Sequence, residues 1–303
     1  MSLAAESLPP AAPAVRAAAS AFSIEGPSAF AEDGERRDVG EGMEMLRRLA
    51  EAVYRRCHLG LVGYSEPESV PMRAREDPDV VRRLRAARPG RRYADEGWTL
   101  LERRADHLVV CKDRLRLRAP AGWAEQSPSG WSLWFPAERR LGLPGYYVAL
   151  GASGPPVAER RLVRLYLHAK PQCAPRLLAA LVDALDGRAL RFQLKLANRL
   201  ASYRRPDACV LYVDADQRNL ASDLALALPR SWLLPSTPGF SRRLAGGVAV
   251  AEGSGESWGR HCANAVASGL CAAFETGEEP LEAVCGALAR MGIDPSAPDG
   301  LDS

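Results

Sequence analysis

Lysine is nearly absent from this chain. Only Lys112, Lys170 and Lys195 occur, within a combined 40 lysines and arginines among 303 residues. A GC-rich genome gives an arginine surplus without any functional cause, so the positions of the few lysines carry more information than the surplus. The seven cysteines include no CxxC pair and no Cys/His spacing suited to zinc, which excludes the common zinc modules. Cys111, Cys173, Cys209 and Cys271 sit in apolar sequence, the setting of reduced, packing thiols. No apolar run approaches the ~18 residues of a membrane helix, and no signal-peptide pattern is present. A cytoplasmic protein without membrane contact is the expectation. The formal net charge of +3 gives no global nucleic-acid footprint. GKS and GKT are missing, so there is no P-loop; no kinase motif and no internal repeat occur either. No metal and no cofactor are expected.

What is present, 47% apolar and 25% charged residues, suits one large soluble domain or two small ones. Residues 1–38 are rich in Ala, Ser, Pro and Gly without a sustained apolar period, which predicts a mobile tail. Between Gly42 and His58, Met45, Leu46, Leu49, Val53 and Tyr54 fall at helical spacing. Short runs from Trp98 to Leu150, punctuated by Gly, Pro and Asp, predict an antiparallel meander completing an N-terminal region at 39–151. Residues 152–159 read as a linker. The half at 152–303 then reads as strand, helix, two strands, helix, a glycine-rich loop over 239–259 and two closing helices. The class is α+β, an antiparallel or mixed sheet with helices packed on it, and 39–303 as one continuous domain is the alternative division.

The run "LRFQLKLANRLASYRRPDACVLYV" holds the most chemistry. Leu190, Phe192, Leu194 and Leu196 alternate with Arg191, Gln193 and Lys195, a period of two with one apolar and one polar face. In "RLVRLYLHAK", Val163, Leu165, Leu167 and Ala169 alternate with Arg164, Tyr166, His168 and Lys170. If both strands lie in one sheet, a single face gathers those polar residues, with Tyr212 from the next strand. Spacing alone leaves two readings open, a solvated face or an anion site. In the second, arginines supply forked donors to phosphate or carboxylate, and Lys with His supplies base and acid. A working lysine base needs a pKa about 2–3 units below ~10.4. Burial and the neighbouring Arg204 and Arg205 are expected to push Lys195 that way.

The glycine-rich loop, with Arg242, Arg243 and Arg260, is a second place where backbone amides approach an anion, the "GES" before a helix in particular.

Taken together, "DEGWTLLERR", "LVVCKDRLRLR", "LPGYYVALG", "VRLYLHAKP", "RFQLKLANRLASYRRPDACVLYV" and "GFSRRLAGGVAVAEGSGESWG" resemble the HopA-type family, first named for a bacterial type III secretion effector. The resemblance runs from about Tyr93 to Phe274. It implies a role beside aminoglycoside-phosphotransferase-like kinases in making class V lanthipeptides and thioamitides. The kinase phosphorylates Ser or Thr of a precursor peptide, and the HopA-like partner eliminates phosphate, as phosphothreonine lyase effectors do. Carried over, Lys195 is the general base, His168 the general acid, and Arg205 with Arg204 the phosphate holders. Tyr166 stands where the lyases have the lysine of a Lys-x-His pair, and Lys170 is the substitute on offer. Arg242 stands where relatives often have lysine. Cys262 stands where they usually have arginine, with Arg260 as the replacement. Tyr212 completes the catalytic candidates. The expected partners are the phosphorylated precursor peptide and a separate kinase, with no nucleic acid or membrane. The competing expectation is a HopA-like module that binds a peptide or protein without catalysis.

Overall fold

The structure is a computed structural model that describes residues 11–61, 76–88, 90–139, 142–157, 161–253 and 257–301. Seven α-helices and three antiparallel sheets occur among them, an α+β fold. None of these helices is long and apolar enough to cross a membrane.

The chain opens with α1 (Pro13–Ala21), followed by a three-stranded sheet of β1 (Phe22–Gly26), β2 (Ala29–Glu32) and β3 (Glu35–Asp38). Residues 13–38 are therefore folded where the composition predicted a tail; 1–10 lie outside the described residues. The ordering force is tertiary. Val15, Ala18, Phe22 and Phe30 join a core built by helices more than two hundred residues away. A face this short and alanine-rich leaves no period to read. Next, α2 (Met43–Val53) runs into a π-helical turn, Tyr54–His58. α3 (Pro78–Ala86) begins at Asp77, whose carboxylate accepts from the Asp79 and Val80 amides, with Pro78 at the first helical position.

The predicted meander forms a five-stranded sheet in the order β6-β5-β4-β8-β7, from β4 (Arg92–Arg103), β5 (His107–Lys112), β6 (Leu115–Pro120), β7 (Ala124–Ser127) and β8 (Gly130–Pro136). Trp98, Leu108, Val110 and Leu133 form its own small core. The remaining strands are β9 (Glu138–Arg139), β10 (Tyr146–Leu150), β11 (Leu162–Leu167), β12 (Phe192–Ala197), β13 (Cys209–Asp214), β14 (Arg242–Ala245) and β15 (Val248–Gly253). They make a seven-stranded sheet ordered β14-β15-β11-β13-β12-β10-β9. This sheet crosses the division expected at 151/152, because β10 pairs with β12. The segment read as a linker is tied down within its described part. Arg191 donates to the Pro155 carbonyl, and the Val157 amide donates to Asp214.

The glycine-rich stretch likewise contains the β14–β15 hairpin rather than a continuous loop. Gly246 and Gly247 form its turn. Gly247 has φ +74°, and a Cβ there would lie 2.2 Å from the Leu234 carbonyl oxygen. Of the "GES" motif, Gly255 and Glu256 lie outside the described residues.

Alternation gives the sheet two faces. Val163, Leu165, Leu167, Phe192, Leu194, Leu196, Leu211 and Val213 pack against α4 (Ala174–Asp186) and α5 (Arg218–Leu226). Tyr166, Val210, Ala249 and Ala251 meet α6 (Trp258–Thr276), with α2 and α7 (Pro280–Arg290) completing that layer. The small Ala249 and Ala251 let a helix come close. The polar face of the sequence pattern is therefore roofed by helices, and the solvated-face reading fails for its central residues.

Candidate functional site

Register fixes where the polar residues stand. One row across the second face runs Val148, Lys195, Val210, Tyr166, Ala249, and the row beside it runs Leu150, Gln193, Tyr212, Arg164, Ala251. Arg164, Tyr166, Gln193, Lys195 and Tyr212 thus share one face, as the alternation implied. His168 continues this face one row beyond Tyr166. Strand spacing puts its Cα roughly 11 Å from that of Lys195, two strands across and two residues along.

Lys195 is buried, with 9% of its surface exposed. Its Nζ lies 4.6 Å from the Tyr146 ring centre and 5.5 Å from that of Tyr212, the two diagonal neighbours across the flanking strands. Burial alone would lower the lysine pKa. Tyr212, Tyr146 and Asp207, with a hydrogen bond that the ammonium donates to the Tyr212 oxygen, outweigh it and raise the group above the usual lysine range. The expectation of a depressed pKa is thus reversed. The free protein therefore holds an ammonium here.

That carboxylate, Asp207, organises the cluster. It accepts from Arg205 Nε and Nη2, both at 2.9 Å, and from the Tyr54 hydroxyl at 2.9 Å. Arg205 Nη2 also lies 3.2 Å from the Tyr54 hydroxyl. Burial would raise the Asp207 pKa; the charge and hydrogen bonds of Arg205, then the charges of Lys195 and His58, hold it far below the carboxylate range. Arg260, paired with Glu51 at 2.8 Å, places its guanidinium 4.9 Å from the Tyr54 ring centre, at the margin of the cluster.

The other candidates disperse. Arg204 points outward as an exposed residue. Arg242 lies on the far edge strand in a forked pair with Asp299, at 3.2 Å for both bonds. Lys170 follows the end of β11, anchored by its amide to the Trp232 carbonyl. His168 has both ring nitrogens engaged, Nε2 with the Tyr203 carbonyl at 3.2 Å and Nδ1 with the Ser236 hydroxyl at 2.7 Å. Burial lowers its pKa, against hydrogen bonds to Tyr203 and Ser236 that raise it. Cys262 is buried in α6, where burial pushes its thiol pKa up and keeps it neutral; a thiol supplies no cation where an arginine was expected.

Four members of the cluster were not found in the sequence: Tyr54, His58, Tyr146 and Asp207. The signal available was a repeated "YRR", at 54–56 and 203–205, whose two copies meet at Asp207. His58 is 1% exposed, stacked on Tyr54 and Phe240 and edge-on to Tyr166. Gly259 of α6 gives it room, since a Cβ there would come within 2.4 Å of the ring. Burial takes its pKa down to about 4, with Asp207 opposing and Arg205 and Lys195 assisting.

The unfolded chain, with histidine near 6.5, binds a proton that the fold refuses until about pH 4. Acidification across that window therefore favours unfolding, by about 3 kcal/mol in total. His58→Phe keeps an aromatic ring and removes the proton site. Urea unfolding at pH 7, 5.5 and 4 is expected to show about 3 kcal/mol less acid destabilisation in the variant. An unchanged acid response would remove His58 as the cause.

With this geometry in place, comparison with known proteins is decisive on one point. The HopA1 effector protein family model matches residues 137–299, more than half of the chain. The chain belongs to this family. The matched segment holds the whole seven-stranded sheet with α4 to α7, hence Lys195, Arg205 and Asp207. Tyr54 and His58 lie outside it. No curated protein matches. Among the solved structures that are similar are two effector proteins of Pseudomonas syringae. That from pv. tomato strain DC3000 has a TM-score of 0.50 at 14% identity, over 86% of this chain and 95% of its own. That from pv. syringae strain 61 has a TM-score of 0.48 at 15% identity, over 86% and 96%. At such identity the first of these likenesses concerns the family's fold alone.

Proposed function

We propose that the protein is a phosphoserine/phosphothreonine lyase. It removes phosphate by β-elimination from a precursor peptide phosphorylated by a separate kinase, leaving dehydroalanine or dehydrobutyrine in lanthipeptide-type biosynthesis. Lys195 takes the α-proton. Its electron pair forms the Cα–Cβ double bond while the Cβ–O bond breaks, and Arg205 holds the departing phosphate. His168 protonates the leaving oxygen. The observation that carries this reading is the burial of the chain's one cluster-bound lysine beside Arg205, with a histidine one row along the same sheet face. Asp207 then marks the phosphate position, since a bidentate carboxylate and a phosphate edge make the same demand on a guanidinium.

A second reading is favoured by the same pairing. Arg205 is already bound by Asp207 and Lys195 is held as the ammonium, a resting arrangement that suits a binding module without chemistry. Incubating the protein with a phosphothreonine or phosphoserine precursor peptide separates the two. Mass spectrometry is expected to show loss of phosphoric acid, with inorganic phosphate released in step. Peptide retained on the protein with its phosphate intact would decide for the binding module. His168→Asn is expected to slow release at least about tenfold, and an unchanged rate would exclude His168 as the acid.

A further inference from the structure

Next to the turn that carries Arg205 lies a pocket of about 130 Å³, on the opposite side of Tyr203 from the Asp207 cluster. Val80 and Leu84 of α3, Pro171 and Ala174 at the start of α4, and Leu200 and Tyr203 of the turn form its walls. A cavity of about 150 Å³ accommodates benzene, so this one is sized for a single side chain of leucine class and is too small for a nucleotide or cofactor. Leu200 is 58% exposed at its mouth, an apolar surface the fold itself leaves uncovered.

The pocket is rimmed by positive charge. Arg83 lines it directly. Arg176, Arg199 and Arg204 each stand one residue from a lining position. None of these four makes an ion pair among the described residues, whereas Arg82, Arg85, Arg88 and Arg91 on the neighbouring segment all do. Asp79, beside the lining residue Val80, is taken up by Arg82, so these four leave a local excess of cations around an apolar hole.

The wall is also connected to the candidate site. The Tyr203 carbonyl receives His168 Nε2, and Arg205 follows two residues later. Asp207 lies four residues along the chain from Tyr203, so the pocket wall and the cluster belong to one turn.

We propose that this pocket is a recognition subsite for an acidic peptide, which inserts one apolar side chain between α3 and α4 while its carboxylates meet the rim arginines. The proposal rests on the reading of the substrate as a peptide, and it stands whether that peptide is dehydrated or only bound. The pocket gives the anchor and the rim gives attraction at a distance, the usual division between a buried hot spot and a charged periphery.

Binding, not elimination, is the readout, so a failure of the lyase chemistry leaves the test intact. Two fluorescein-labelled probes serve: Gly-Glu-Glu-Ser-Leu-Ser-Glu-Glu-Gly and the same peptide with Ser in place of Leu. Fluorescence anisotropy is expected to show the leucine peptide binding roughly ten- to hundredfold more tightly, the range for burying one such side chain. Gln172→Trp, at an exposed position on the lip, is expected to abolish that preference. Arg83→Glu with Arg199→Glu is expected to weaken both peptides and to flatten their salt dependence. Equal affinity for the two probes would overturn the proposal, as would a leucine preference that survives Gln172→Trp. So would equally tight binding of a nine-nucleotide RNA, which would mean that charge alone is read.

Discussion

Lys195→Arg is expected to abolish elimination while leaving the fold and peptide binding in place. Arginine keeps a cation between Tyr146 and Tyr212 but cannot serve as a base near neutral pH. The loss expected for removing a positioned general base is roughly 10²–10⁴ in rate. The pH profile of the wild type supplies a second measurement with a definite sign. Because the Lys195 pKa is raised above the ordinary lysine range, the neutral amine is a small fraction at pH 7 and grows about tenfold for each pH unit. Phosphate release should therefore climb through neutral into alkaline pH, with no plateau below the ordinary lysine pKa of about 10.4. A rate that is flat from pH 6 to 9, or a Lys195→Arg protein of undiminished activity, would show that Lys195 acts as a fixed charge and that the α-proton leaves by another route.

Asp207→Asn is expected to be the most destabilising single change in the cluster, by about 3–5 kcal/mol. The substitution leaves Arg205 and Lys195 in a buried place with no anion between them. Adding Arg205→Met should restore much of the loss, since the pair costs little when both partners go. The pH dependence follows from the depressed Asp207 pKa. The unfolded carboxyl binds its proton near 3.9, the folded one only well below that. Its contribution is present above the unfolded value and is lost as pH falls through the folded one. Wild type and variant should thus differ most at neutral pH and converge in acid, as read by urea midpoints across the range. An Asp207→Asn protein as stable as wild type at pH 7 would remove the carboxylate from the centre of the cluster. The same variant loses one influence that keeps Lys195 protonated, so any residual phosphate release should shift toward lower pH.

Strands β11 and β12 were legible because valine, leucine and phenylalanine alternate there with charged, polar or aromatic residues, and β10 and β13 because they are short apolar runs bounded by turn residues. The α+β class and the gathering of Lys195, Tyr212 and Arg164 on one face followed from that parity. β15 was hidden because its inner face is alanine, too weak a signal beside two glycines, though it sits between β11 and β14 in the main sheet. α1 was hidden for the same reason. Alternation also reports which residues share a face but not what covers it, so a buried polar layer looked the same as a wet one. Asp207 lies inside the quoted motif, two residues past Arg205, but carries no local signal because its partner Tyr54 is 153 residues away. Of the phosphate holders expected, Arg205 is in the cluster and Arg260 at its margin, while Arg204 and Arg242 belong to other surfaces. That separation depends on strand order, which no local spacing encodes.

The bond from Tyr54 to Asp207 also has a temporal consequence. During synthesis, α2 and the turn that begins at Tyr54 emerge well before the sheet they must cover, and α6 and α7, which complete the same layer, emerge after it. The sheet's α4–α5 face can close on its own as it is made, from contacts local in sequence, while the polar face waits for both ends of the chain. Contacts of such long separation form late and slowly. Until then, two cations and a carboxylate stand in water on an unfinished sheet, and the bond from the Tyr54 hydroxyl to Asp207 is among the last the molecule makes.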